Sequence, residues 1–277
     1  MERSEQKPYL PEHEQVPETL SKTDIIAAFD LDGTILKGPY SIGHVVSEVT
    51  STQQHGIIFD PAAVDSFPEH QLTALEKTSN AVARILHRGR KPYPGIHRVL
   101  ETIGMISQQY GLTTKIAVIS GRSEELLGNL SRRELDRHNL TKFLKNGNEE
   151  PNIFLKPDGI SSWKWKCFKL WELTHPENGS FKQAIFYEND PVTAKKIAEV
   201  TLELQMPVTV VLHKRLETSP LVLQALGMQC DPRTGSCFSL KPDPKTGKYQ
   251  ELPIFLASVS EFAEQFEAFS LGRPVNS

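Results

Sequence analysis

The chain has 277 residues, with 31 Lys+Arg against 34 Asp+Glu for a formal net charge of −3, and 38% hydrophobic and 23% charged residues. This is the composition of a globular chain long enough to bury an apolar core without disulfide or metal staples. The balanced charge argues against bulk electrostatic binding to nucleic acid or an anionic membrane, and no apolar run approaches the ~20 residues of a membrane span.

Residues 1–22 carry three prolines and alternating charge without periodicity, which predicts a mobile leader. They contain no apolar h-region, so no secretory signal is expected. The first strong element is the apolar run 25–29, ending abruptly at Asp30. Runs 115–119, 184–187 and 208–212 have the same character, and 253–256 offers a fifth. Continuous apolar runs of this length suit strands buried on both faces. Helical patterns follow at 124–135 and 191–204, and 96–110 reads as the crossover between the first two runs. Alternating strands and helices predict a doubly wound parallel α/β sheet, with ligands beyond the strand ends.

The interval between the first two runs far exceeds the dozen or so residues a crossover requires. Residues 40–91, with helical patterns at 42–50 and 72–87, therefore read as an inserted helical cap that would cover the site as a lid. The expected organisation is a leader at 1–22, a core at 23–39 and 92–277, and the cap at 40–91. Near the C-terminus, Asp231-Pro-Arg-Thr-Gly235 and Asp243-Pro-Lys-Thr-Gly247 are turn signals bracketing a short strand.

The segment Phe29-Asp30-Leu31-Asp32-Gly33-Thr34 carries the chemistry. A carboxylate such as Asp30 can attack phosphorus and divide a slow hydrolysis into two steps. Asp32, two residues on, points to the same side and can protonate the leaving oxygen, then deprotonate the attacking water. Because Asp30 repels an anionic phosphoryl group, a cation has to bridge them, and Mg²⁺ with hard oxygen ligands does so. Gly33 permits the turn and Thr34 offers a hydroxyl donor.

This pattern resembles the haloacid dehalogenase-like (HAD) superfamily, whose phosphatases carry D-x-D-G-T at the end of the first core strand. The resemblance spans about residues 25–212, interrupted by the cap. It implies a HAD-type Rossmann-like core with a C1 helical cap, Mg²⁺ dependence and an aspartyl-phosphate intermediate. It further implies that Ser120, followed by Gly121, binds the phosphoryl group. A lysine near the start of the helix after Ser162 would neutralise it, Lys166 leading, then Lys164 and Lys156. The motif Tyr187-Glu188-Asn189-Asp190 resembles a Y-E-D-R variant of the family's acidic motif. The resemblance implies that Glu188 or Asp190 joins Asp30 and the Asp32 carbonyl on the metal; which of the two does so stays open, because the usual forms are D-D and G-D-x-x-x-D.

Other features read as structural. Arg122 is a solvated loop charge slightly more readily than an anion binder, and the 87–91 basic cluster is a loop that could greet an anionic substrate. Cys230 and Cys237 lack a second Cys/His pair for zinc, so they read as free thiols. With Cys167 they fit a reducing compartment, and a cytoplasmic location is expected. Trp163 and Trp165 read as core or lip aromatics. The resulting expectation is a phosphomonoester hydrolase acting on a small-molecule phosphate ester, with neither membrane nor nucleic acid as partner. The alternatives are a nucleic-acid end-processing phosphatase and a non-catalytic binding protein of the same fold. Oligomeric state, and whether water or a second substrate accepts the phosphoryl group, are left open.

Overall fold

In the computed structural model, residues 24–37, 89–145, 149–157, 160–175, 180–215, 218–243 and 246–273 are described. The expected leader and nearly all of the expected cap, residues 40–88, lie outside the described residues.

Four of the apolar runs become the strands β1 (Asp24–Phe29), β2 (Thr113–Ser123), β4 (Gln183–Glu188) and β5 (Val208–His213). A short strand β3 (Ile153–Lys156) had no counterpart in the sequence reading. The helices between them are α1 (Ile96–Gln109), α2 (Glu124–Arg137), α3 (Ser162–Thr174) and α4 (Pro191–Glu203). The C-terminal part adds α5 (Pro220–Ala225), β6 (Met228–Cys230), β7 (Ser236–Pro242), β8 (Tyr249–Ala257) and α6 (Phe262–Ser270). Among the described residues, no helix is long and apolar enough to cross a membrane.

The strands form one sheet in the order β3-β2-β1-β4-β5-β8-β7-β6. β3 to β8 in this order run parallel, whereas β7 and β6 are antiparallel. The expected doubly wound parallel sheet is thus present, with an antiparallel pair added at one edge. There the 231–235 segment makes a tight reversal, closed by Gly235 N–H to Asp231 O at 2.8 Å, and Gly247 N–H reaches Asp243 O at the same distance. Tight reversals of this kind join antiparallel neighbours, while parallel ones need a crossover.

Period-two alternation sends side chains from each central strand into two separate cores. Ile25, Ala27 and Phe29 join Val118, Ile185, Tyr187 and Val211 beneath α1 and α6. Ile26 and Ala28 join Ala117, Ile119, Phe186, Val210 and Leu212 beneath α3 and α4. Both faces are covered, which is why these strands read as unbroken apolar runs. Phe29 and Tyr187 stack at 4.2 Å, and the Tyr187 hydroxyl donates to Phe262 O at 2.9 Å. The ends of β1 and β4 are therefore packed rigidly together. From β1 the chain lays β2 and β3 outward on one side, then returns to β4 and lays β5 and β8 on the other, so β1/β4 is the topological switch point where such sheets open a crevice.

The reading of Cys230 and Cys237 as free thiols is overturned. They are opposite each other in the β6–β7 ladder and form a disulfide, while Cys167 is free and buried. The turn between them sets the register, which spacing alone does not reveal. The inference from free thiols to a reducing compartment loses its basis for this pair. Thiol titration should accordingly find no reactive group in the native protein, one after denaturation and three after denaturation with reductant. Reduction should also lower the unfolding free energy by about 2 kcal/mol, from the entropy of the short loop released. Two thiols titrating in the native protein would restore the original reading.

Candidate active site

The polar groups gather beyond the C-terminal ends of β1, β2, β4 and β5, around the switch point. Asp30 ends β1 and is 5% exposed, and its backbone N–H donates to Tyr187 O at 2.8 Å. The chain then reverses through Gly33, at φ +83°, with Leu36 N–H bonded to Leu31 O at 2.8 Å. A side chain at Gly33 would also overlap Asn189 and Arg215, so backbone freedom and space both require glycine there.

Lys166 lies between two buried carboxylates. Its Nζ is 2.9 Å from Asp30 Oδ1 and 2.6 Å from Glu188 Oε2, and all three side chains are at most 7% exposed. Burial works to lower the lysine's pKa, but the charges of Asp30 and Glu188 outweigh it and raise the value above that of a free lysine. Burial raises Glu188 to about 7, against the opposing pull of Lys166, and raises Asp30 as well. Two carboxylates share one ammonium, and the excess negative charge is what a bound cation would relieve. The other lysines point elsewhere: Lys156 Nζ donates to Pro157 O, and Lys164 stands 5.7 Å from the Trp163 ring centroid. Helix α3 is capped by Ser161 in extended backbone, one residue before the expected Ser162.

Ser120 is buried, and its Oγ accepts from Arg122 N–H at 3.3 Å. The expected loop Ser120-Gly121-Arg122 belongs to the irregular end of β2, where pairing with β3 shifts register. A side chain at Gly121 would overlap Ser162 Oγ, so glycine lets α3 begin against the strand end and brings Lys166 to Asp30.

Glu188 Oε1 accepts the backbone N–H groups of Asn189 (2.9 Å) and Asp190 (3.0 Å). The Asp190 carboxylate does not join it: it caps α4, accepting from Val192 and Thr193 N–H, both at 3.2 Å, and from Thr193 Oγ1 at 2.5 Å. The Asn189 amide, oriented so that both its atoms find partners, donates from Nδ2 to Asp30 Oδ2 (3.2 Å) and Asp32 O (2.5 Å). The buried Thr34 hydroxyl is 3.5 Å from the same amide.

Asp32 faces a different partner. Arg122 Nε and Nη2 donate to Asp32 Oδ2 and Oδ1, each at 2.7 Å, and Arg90 Nη1 donates to Oδ1. Arg122 is only 4% exposed and Arg90 8%, which corrects the reading of Arg122 as a solvated loop charge and of Arg90 as part of a solvated cluster. Burial works to lower the Arg122 pKa, but bonding to Asp32 and Glu134 raises it overall. Arg215 Nη1 (3.1 Å) and His213 Nδ1 (3.0 Å) both donate to Gly33 O and hold the reversal from the β5 side. Asn189, His213, Arg215 and Glu134 received no role from the sequence, and Arg90 none beyond its place in the basic cluster. For Arg90, Asn189, His213 and Arg215 the signal was position, at the cap exit or a strand end; Glu134 gave none.

Two side-chain carboxylates and a carbonyl make an all-oxygen donor set: Asp30, Glu188 and Asp32 O. Asp30 Oδ2 and Asp32 O already converge on a single amide nitrogen. Mg²⁺ commonly takes only one or two carboxylates and completes its shell with water and phosphate oxygens, so this set fits it. Among the described residues no group of three His, Cys, Asp or Glu side chains is placed to hold a metal.

No protein-family model and no curated protein matches the sequence. Among solved structures the chain is similar to the HAD family hydrolase t0658 of Salmonella enterica subsp. enterica serovar Typhi. The identity is 16% and the TM-score 0.36, with 73% of this chain and 66% of that one covered, just under two thirds of its length. It is also similar to YfnB of Bacillus subtilis, described as a HAD-hydrolase bound to magnesium, at 13% identity and TM-score 0.35, over 69% of this chain and 87% of that one.

His213 gives a pH prediction. It is 5% exposed, and burial lowers its pKa to about 4 from 6.5, with Arg215 adding to the effect. Between these values the unfolded chain binds a proton that the folded chain does not, so stability rises with pH. The contribution is full above about pH 6.5 and is lost as pH falls towards 4, for a total on the order of 3 kcal/mol. Urea denaturation at pH 7.5 and 5.0 should show this loss, and His213→Gln should flatten it. An equal slope in the variant would remove His213 as the cause.

Proposed function

We propose that the chain is a Mg²⁺-dependent phosphomonoester hydrolase of the HAD type, acting on a small phosphorylated metabolite through an aspartyl-phosphate. The observation that carries this reading is the buried Lys166 bridging Asp30 and Glu188 at the sheet's switch point. A lysine so placed holds one carboxylate ionised and aimed without coordinating it rigidly, which suits a nucleophile.

In this reading an Asp30 oxygen attacks phosphorus while the bond from phosphorus to the leaving oxygen breaks. Asp32, entering this step in its protonated form, delivers that proton to the leaving oxygen and the alcohol departs. Asp32, now the carboxylate, takes a proton from a water that attacks the same phosphorus, and the acyl-phosphate bond breaks to release inorganic phosphate and restore Asp30. Lys166 offsets the charge on Asp30 throughout. The Thr34 and Ser120 hydroxyls and the Gly121 N–H are the donors for the phosphoryl oxygens. Asp30, Asp32 O and Glu188 would hold Mg²⁺, which supplies the positive charge that lets a carboxylate approach an anionic phosphoryl group. Asp190 is left to its helix cap.

One observation favours a second reading, a binding module of the same fold without turnover: the Asn189 amide sits on two of the three oxygen donors. Metal-dependent turnover separates the two. With p-nitrophenyl phosphate and a panel of phosphometabolites, the hydrolase reading expects turnover that EDTA abolishes and added Mg²⁺ restores. Asp30→Asn should lower kcat to background, since a neutral amide is a poor nucleophile. Glu188→Gln should raise the Mg²⁺ concentration needed for half-maximal rate, while Asp190→Asn, which keeps a cap, should leave it unchanged. Full turnover in EDTA or by Asp30→Asn would end the hydrolase proposal.

A further inference from the structure

A carboxylate that moves a proton must keep one oxygen aimed at the atom it serves, and an aspartate side chain has two torsions to fix before it can do so. The Asp32 side chain is 24% exposed, against 7% for Asp30, so packing alone does not fix it. The restraint comes from residues distant in sequence. Arg122 pairs with both Asp32 oxygens through two parallel N–H bonds of 2.7 Å, the geometry in which a guanidinium fixes a carboxylate in position and plane. Arg90 adds a third donor on Oδ1.

The arginines are themselves braced. Arg122 Nη1 donates to Ser131 Oγ at 2.9 Å and to Glu134 Oε2 at 3.0 Å. Ser131 and Glu134 are three apart on α2, hence on one helix face, and both are buried. The α2 C-cap residue His138 donates from Nε2 to Arg90 O at 2.8 Å, so α2 also fixes the backbone that carries the second arginine. Arg122 has thus committed Nε, Nη1 and Nη2 to protein groups. A guanidinium that served a substrate anion would present some of these N–H groups to the crevice.

We propose that Arg122, braced by Glu134 and Ser131, and Arg90 are positioning residues that hold the Asp32 carboxylate for the step in which it takes a proton from the attacking water. Neither touches the reacting atoms. The proposal rests on the hydrolase reading above and adds to it the machinery that orients its acid–base group.

The test is a double-mutant cycle on p-nitrophenyl phosphate and an alkyl phosphate that the wild type turns over, using Arg122→Gln, Asp32→Asn and the pair. General acid–base groups contribute ~10²–10⁴-fold. Arg122→Gln should therefore lower kcat by at least about 10-fold on both esters. In the Asp32→Asn background the same change should have almost no further effect, because residues acting as a unit are not additive. Arg122→Lys keeps the charge without the fork and should recover only part of the rate. Leaving Glu134 buried without its partner can prevent folding. Arg122→Gln is therefore also made together with Glu134→Gln, and Arg90→Gln, which leaves Glu134 paired, is run through the same cycle. Equal losses in the wild-type and Asp32→Asn backgrounds, or a raised KM at unchanged kcat, would overturn the proposal while leaving the hydrolase reading intact. A wild type without turnover, or an active Asp30→Asn, would remove both.

Discussion

The molecule is organised around one ammonium held between two buried carboxylates. Desolvating Asp30, Lys166 and Glu188 together costs several kcal/mol per ion, and only close mutual contact offsets it. That contact depends on three distant parts of the chain: the end of β1, the second turn of α3 and the end of β4. The β1–β4 ladder, the Phe29–Tyr187 stack and the close approach at Gly121 bring them together. Packing that in another α/β protein would serve stability alone here sets the spacing of a charged site. The charge is also left unbalanced, and burial with carboxylate crowding raises both Asp30 and Glu188.

The two aspartates of D-x-D share a loop but not an environment. Asp30 is buried against an ammonium, and Asp32 is partly open and faces guanidinium groups. Such a division lets two identical side chains take different tasks, because surroundings and not residue type set a carboxylate's properties. The structure achieves it with elements on both sides of the sheet: α3 supplies the partner of the first, while α2 braces the partner of the second. Gly33 O, gripped by His213 and Arg215, fixes the loop between them.

Where strands are buried on both faces, the sequence made them legible: β1, β2, β4 and β5 are unbroken apolar runs with a polar residue at the exit. β3 escaped notice because its four residues stand between prolines and are too short to show a period. β8 extends well before Pro253, since its first residues are exposed and polar. Asp30, Asp32, Ser120 and Lys166 were legible through spacing and resemblance, and the fold places them beyond the C-terminal ends of β1 and β2 and at the start of α3. The arginine pair was not. Ser131 and Glu134 do mark one face of α2, but nothing in the sequence shows that β1–β2 pairing sets Asp32 opposite Arg122. Burial of a charge is a property of the assembled fold, as is the register that joins Cys230 to Cys237. Asp190 shows the converse: an acidic residue after a strand is as suited to capping a helix as to binding a metal, and its hydrogen bonds are those of a cap.

The claim on which the account turns is that Asp30 becomes covalently phosphorylated. The direct measurement is rapid acid quench of a turnover mixture, followed by peptide mass mapping. Asp32→Asn serves as a companion sample in which the second step, the one that needs a base, is slowed. The account predicts one added phosphoryl group on the peptide carrying Asp30, labile to hydroxylamine as an acyl phosphate is, and more abundant in the companion. A phosphoryl group on any other residue, or none while turnover proceeds, would contradict it.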